Sequence, residues 1–242
     1  MVGLHQVVHF NPDELSGDRL QRRLRASGVE GLLLLPMADL RPLDHMLDWR
    51  EFSIVSATLS VTSPKFDQVA ADHFLNLFSL CARLRQAGYR RPGLVIESQH
   101  DQRCGYIPTA SLAWHGVYGD LEPTLAHRYD RLEREPFRHW YLEQRPDVLL
   151  VAHDPLALEL REQRLLPANL PVISCSVRPL NNGTFPLAGN FDQPRQIGAV
   201  AAETLARKIA IGQRGIPENP HTTLIRGMWV GELVNLPRRR KT

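Results

Sequence analysis

Leu187 to Trp229 reads LAGNFDQPRQIGAVAAETLARKIAIGQRGIPENPHTTLIRGMW. A short apolar segment, Phe185–Ala188, leads to Gly189, then to Asp192 and Gln193, either able to cap a helix, and to Pro194. Proline suits a first helical position because its φ is already helical and its missing N–H is not needed there. Ile197, Val200, Ala201, Leu205 and Ile209 form one apolar stripe at helical spacing. Gly198, Ala202 and Ala206 leave a second face of small residues. Arg207 and Lys208 sit where cations complement the helix dipole, and Gly212 ends the helix. A Pro-rich turn follows, and Thr222–Ile225 reads as a β-branched strand.

Outward from this stretch, strand and helix patterns alternate. His5–Phe10 alternates as a strand, and Leu15, Leu20 and Leu24 mark an amphipathic helix ended by Gly28. Val29–Leu35 and Phe52–Ala57 are apolar runs of the kind covered on both faces, and Leu40–Trp49 between them reads as a short helix. After Val69–Asp72, a helical pattern runs from Asp72 to Gly88. Strands are predicted at Pro92–Ile96, Val148–Ala152 and Pro171–Ser174. Helices are predicted at Arg103–Trp114, Glu133–Gln144 and from His153-Asp154-Pro155 through Leu160. Gly116–Arg131 is mixed and reads as loop with room for one short strand. Alternation of this kind calls for parallel sheets with helices on both faces.

The apolar segment, the D-Q step, the helix closed by a Gly-rich turn, GIPENP, a short strand and G-M-W-V resemble the end of the sensor domain of lactose-repressor-type (LacI-type) bacterial transcription regulators. The rest of the chain from His5 matches that pattern in order. The resemblance implies an α/β fold of two doubly wound parallel-sheet lobes, type I periplasmic-binding-protein-like. Residues 1-70 and 191-218 would make the first lobe, and 71-190 with 219-242 the second. The chain would cross between lobes near Val69–Asp72, Gly189–Gln193 and Pro217–Pro220. Family members carry a helix-turn-helix and hinge helix ahead of the sensor, and the sensor opens with one further β-α unit. Neither precedes the His5–Phe10 pattern here, so the first lobe is expected to be partial, with exposed strand edges. Operator binding is then expected only through a separate N-terminal DNA-binding domain.

Composition sets bounds of its own. The 242 residues suit one large domain or two intimate lobes, and 43% hydrophobic content supplies a sizeable core. A net charge of +3, accounted for by Arg238-Arg239-Arg240-Lys241, excludes a chain that binds nucleic acid by bulk charge. That cluster also has the plain reading of a solvated tail. There is no signal-peptide pattern and no apolar run that spans a bilayer, so the expected location is cytoplasmic, with no membrane partner. Cys81, Cys104 and Cys175 are too scattered for a disulfide framework or a C-x-x-C pair. No G-x-S-x-G, G-x-x-x-x-G-K-[ST] or H-E-x-x-H occurs, and the ten histidines show no metal spacing. Neither an enzyme nor a cofactor is expected.

Open α/β sheets bind ligands beyond the carboxyl ends of their strands. Polar residues just after the predicted strands are therefore the candidates: Met37 to Asp39, Thr58, Ser60, Asp72, Arg103, His153, Asp154, Ser176, Arg178, Asp192 and Gln193. Asp72, Arg103, His153, Asp154, Ser176 and Gln193 fall where the resembled family lines its effector cleft. Arginine offers a planar fork of donors and aspartate accepts paired hydroxyls, which suits sugars and nucleoside-like ligands. Tyr106 and Trp114 are available to stack on an apolar ligand face. Each candidate also has a plain structural reading. Asp72 and Asp154 are helix N-caps, Arg103 a surface arginine, Asp192 and Gln193 capping groups, and Trp229 a packing residue. Ser176 stands where the family often has an acidic residue.

The implied function is the effector-binding and dimerising domain of a LacI-type regulator. It would act as a homodimer and bind a small, sugar-like effector. A periplasmic-type sugar-binding protein shares the fold, and a degenerate regulator that dimerises without sensing is the third reading.

Overall fold

The computed structural model describes residues 17–37 and 42–233. Along the chain the elements run α1 (Gly17–Ala26), β1 (Gly31–Leu34), a 3-10 turn (Trp49–Glu51), β2 (Ser53–Ser56), β3 (Asp67–Ala71) and α2 (His73–Gln86). Next come β4 (Pro92–Glu97), α3 (Ser98–Arg103), α4 (Ile107–Val117), β5 (His127–Tyr129), α5 (Arg134–Gln144), β6 (Val148–Val151) and α6 (Asp154–Glu162). The series ends with β7 (Val172–Ser174), β8 (Gly189–Phe191), α7 (Pro194–Ala210), β9 (Thr222–Ile225) and β10 (Met228–Val230). Among the described residues two compact units result: 17–37 and 42–71 with Pro194–Ile225, and Asp72–Gln193 with 226–233.

The first unit holds a sheet in the order β1-β2-β3-β9, every neighbouring pair parallel. Successive side chains of a strand point to opposite faces. Phe52 and Ile54 accordingly join Leu20, Leu24, Trp49 and Phe66 on one side of the sheet. Val55 joins Ile197, Val200, Ala201 and Leu205 of α7 on the other. The stripe read in the sequence is thus the face that α7 lays on this sheet. Lys208, on the same helix, is buried at 1% exposure and donates to Asp67 Oδ2 at 2.5 Å. Asp67 Oδ1 accepts the His221 amide at 2.9 Å. Burial acts to raise the Asp67 carboxyl, but the Lys208 ammonium and the His221 amide outweigh it and hold it below the usual carboxylate range.

The second unit holds a sheet in the order β10-β8-β7-β6-β4-β5, parallel except for β10 against β8. Leu94, Ile96, Leu150 and Ile173 pack with Leu77, Leu80, Leu84 and Leu112 of α2 and α4. The alternate residues Val95, Leu149, Val151 and Val172 pack with Phe137, Trp140, Leu156 and Leu160 of α5 and α6. Both faces are covered, so the apolar runs of β4 and β6 are buried almost throughout.

Several expectations change. Thr222–Ile225, assigned above to the second lobe, extends the first sheet beside β3, with Gln68↔Thr222 through Ala71↔Ile225. The chain therefore passes to the second unit after Ile225, and the Pro217–Pro220 turn lies within the first. Arg103 ends a helix instead of opening one. The backbone turns left-handed at Gly105 (φ +66°) and Tyr106 (φ +60°), and Pro108 then starts α4. No helix forms within residues 42–49, where a turn and the 3-10 segment carry Leu43, Leu47 and Trp49 into the core. A strand not read in the sequence, Gly189–Phe191, follows the apolar Phe185–Ala188 segment. His5–Phe10, Ala38-Asp39 and Arg238–Lys241 lie outside the described residues.

Candidate functional site

At the carboxyl ends of the second sheet, β4, β6, β7 and β8 lead into Glu97, Ala152-His153, Cys175-Ser176 and Asp192-Gln193. Chain polarity is shared, so these four segments emerge on one rim. The N-terminus of α2 reaches the same rim, with Asp72 as its N-cap accepting the Leu75 amide at 3.0 Å.

Asp192 is the polar centre. Its Oδ1 accepts from Asn76 Nδ2 (3.0 Å) and Asn190 Nδ2 (2.7 Å), and its Oδ2 accepts from Ser176 Oγ (2.6 Å). Asn76 Oδ1 in turn accepts the Gly227 amide at 2.8 Å. A carboxylate has about four acceptor sites, so three of Asp192's are already filled by protein donors. Position 227 must be glycine for this packing: a Cβ there would stand 2.3 Å from Asn190 Oδ1.

Beside this network lies a cavity of about 60 Å³, lined by His73, Asn76, Leu77, Leu94, Ile96, His100, Cys104, Pro108, Ala152, Cys175, Ser176 and Asp192. Its walls are mostly apolar. The tautomers of two imidazoles follow from their partners. Arg103 Nη2 lies 3.2 Å from His100 Nδ1. A guanidinium only donates, so that nitrogen accepts and His100 carries its proton on Nε2. His153 Nδ1 accepts the Leu156 amide at 3.3 Å as the cap of α6, which puts its proton on Nε2 too. The two rings meet edge to face, centroids 5.8 Å apart. Burial, with the Arg103 charge next, pushes His100 down to about 4. Burial, with Arg178 next, also lowers His153. Both rings are therefore neutral at pH 7 and present N–H donors. Burial pushes the Cys104 thiol up to about 12 and the Cys175 thiol up as well, which leaves them uncharged and poor nucleophiles. Among the described residues no group of three or more His, Cys, Asp or Glu side chains is placed to hold a metal ion. The rim can orient a ligand rich in hydroxyl and other oxygen acceptors.

The six predicted residues all fall in the second unit, with different roles. Ser176 lines the cavity, Arg103 fixes His100, and His153 abuts His100. Asp154 does not cap α6; His153 does, because its ring reaches Leu156 N–H, while Asp154 lies 3.6 Å from Arg178. Gln193 holds the backbone, its Nε2 donating to the Arg226 carbonyl at 2.7 Å. Asp72 is buried as a cap. Thr58 and Ser60 lie in the first unit and bond to each other at 3.0 Å. Trp114 and Tyr106 are partly exposed, the first packed on Phe78 and the second under Arg128. Trp229 packs on the core beneath Arg83. The sequence reading missed Asn76, Asn190 and His100. Helical spacing held a signal for two of them. Asn76 is four residues after Asp72, and His100 three before Arg103, so each shares a helix face with a residue already singled out.

No protein-family model matches the chain. No curated protein matches it either. Solved structures do. A transcription-regulator-like protein from Staphylococcus haemolyticus superposes with a TM-score of 0.66 at 17% identity, over 95% of this chain and 83% of that one. A complex of the transcriptional regulator CelR with cellobiose gives 0.63 at 19% identity, over 89% and 68%. A periplasmic binding protein/LacI transcriptional regulator from Alkaliphilus metalliredigens, complexed with D-xylulofuranose, gives 0.61 at 11% identity, over 91% and 83%. The fold of this chain is therefore that of LacI-type regulators and type I periplasmic binding proteins. Among the described residues no helix is long and apolar enough to cross a membrane.

Proposed function

We propose that this protein is the effector-binding and dimerising domain of a LacI-type transcription regulator. It senses a small, sugar-like molecule at the rim around Asp192, Arg103, His100, His153 and Ser176. The observation that carries this reading is the convergence of donors and one hydrogen-bonded carboxylate at the carboxyl ends of a parallel sheet, in a fold whose solved relatives include sugar complexes. Arg103, with Gln193 and Asp72 nearby in sequence position to the unit crossings, would hold ligand hydroxyls. Binding would favour one arrangement of the chain over another and so control a separate DNA-binding head in a cytoplasmic homodimer. A sugar-delivering binding protein is the second reading, favoured by the shared fold alone.

The test is a thermal-shift and native-mass panel of mono- and disaccharides, cellobiose and D-xylulose included, and nucleosides. At least one member should raise the melting temperature by several degrees, and Arg103→Ala should lose that shift while melting like the parent. Equal shifts in variant and parent would remove Arg103 from the site. A panel with no bound member would remove the sensor.

A further inference from the structure

We propose that the effector carries an acetamido group, as an N-acetylated sugar does, and that this group fills the cavity beside Asp192. This rests on the effector reading above and names the ligand class for that site. Every residue lining the cavity belongs to the second unit. Its volume of about 60 Å³ matches about two water molecules at the ~30 Å³ each takes in the liquid. It therefore admits a short side group and excludes a sugar ring. Leu77, Leu94, Ile96, Pro108 and Ala152 make an apolar wall, where a methyl group gains and a hydroxyl loses its water without a new partner. No lysine or arginine lines the cavity, and the two thiols and the His100 ring are uncharged at pH 7. A carboxylate or phosphate would meet no counter-charge there.

The polar edge of the cavity narrows the class further. Ser176 Oγ and Asn76 Nδ2 donate to Asp192, and Asn76 Oδ1 accepts from Gly227. These groups are largely spent on one another. With Asn190 as its third donor, Asp192 keeps one acceptor site. His100, its Nδ1 facing Arg103, keeps its Nε2–H as a donor. One acceptor, one donor and an apolar wall are the complement of an acetamide. Its N–H suits Asp192, its carbonyl oxygen suits His100, and its methyl suits the wall. A hydroxyl can satisfy either polar partner but leaves the wall unfilled. An ammonium only donates, so it serves neither His100 nor the wall.

Calorimetric titration of the whole chain with matched sugars tests it. The probes are N-acetylglucosamine, N-acetylgalactosamine and N-acetylmannosamine, each beside its hexose and its free amine. At least one N-acetyl sugar should bind about tenfold or more tighter than both of its partners, as one buried methyl and one added hydrogen bond predict. Ala152→Val, which narrows the wall, should erase that preference. His100→Phe, which keeps a ring and removes the donor, should erase it too, so either variant decides if the other fails to fold. A preference that survives both substitutions would place the acetamide elsewhere and overturn the proposal. A hexose that binds as tightly as its N-acetyl form would also overturn it and leave the effector reading standing. If no sugar binds, the effector reading falls, and N-methylacetamide decides the pocket by itself. Saturable, millimolar perturbation of the His100 ring signals in NMR spectra upholds it, and their constancy overturns it.

Discussion

The two sheets are held by different means. In the six-stranded sheet, β6 is buried over its whole length, with an apolar layer on each face. In the four-stranded sheet, β1 is only half-buried and the edge strand β9 is mostly exposed, with Leu224 open at 48%. There a buried ion pair, Lys208–Asp67, joins the covering helix to the start of β3. Burial of apolar surface is non-directional, whereas an ion pair out of water is stable only in one geometry. The six-stranded sheet rests on apolar packing alone at its centre, whereas the four-stranded one adds to its apolar layers a charged contact that is favourable only in its observed geometry.

Substitutions can break that contrast, the most costly first. Leu150→Ala should cost about 3 kcal/mol, because it opens a cavity between two filled layers; urea unfolding measures it. Lys208→Ala should cost about 2 kcal/mol, since it strands the Asp67 carboxylate. Because Asp67 is held low in the folded state, that contribution is complete at neutral pH. It is lost only as pH falls below the ordinary aspartate range. The parent and Lys208→Ala stability curves should therefore converge at low pH, and parallel curves would contradict the pairing.

His100 acts in the same direction on acidification, but in a higher pH window. Its folded value lies near 4, below the ordinary 6.5, so the unfolded chain takes up the proton first. Stability should decline from about pH 6.5 to 4, and His100→Gln should flatten that limb. An unchanged limb would show that His100 is solvated in the folded protein. Asn76→Asp probes the rim by charge. It removes the Nδ2 donor to Asp192 and sets a second carboxylate beside it, so exchange at Gly227, corrected for intrinsic rate, should exceed the parent's, and an unchanged rate would contradict the network. Last, Leu224→Thr on the exposed edge should change stability by less than about 0.5 kcal/mol.

The sheets were legible because their signals are local. The β4 and β6 runs are apolar without interruption, and the α7 stripe keeps its period for four turns. Thr222–Ile225 was legible as a strand but not as a member of a particular sheet, since its burial pattern is weak on both sides. The break at Gly105-Tyr106 was hidden because residues 98–117 carry helical composition on both sides of it. Site residues were legible where they follow a strand, as Ser176 and His153 do. Asn76 and Asn190 were not, because their roles come from partners more than a hundred residues away or from a strand too short to announce its register.

The three free thiols have a further use. Burial raises the thiols of Cys81, Cys104 and Cys175 and keeps each protonated. An alkylating reagent reacts with thiolate, so it should find none of them until the surrounding core opens. The rate at which the native chain takes up label is thus a clock for opening of the six-stranded unit. It requires no dye and no engineered cysteine.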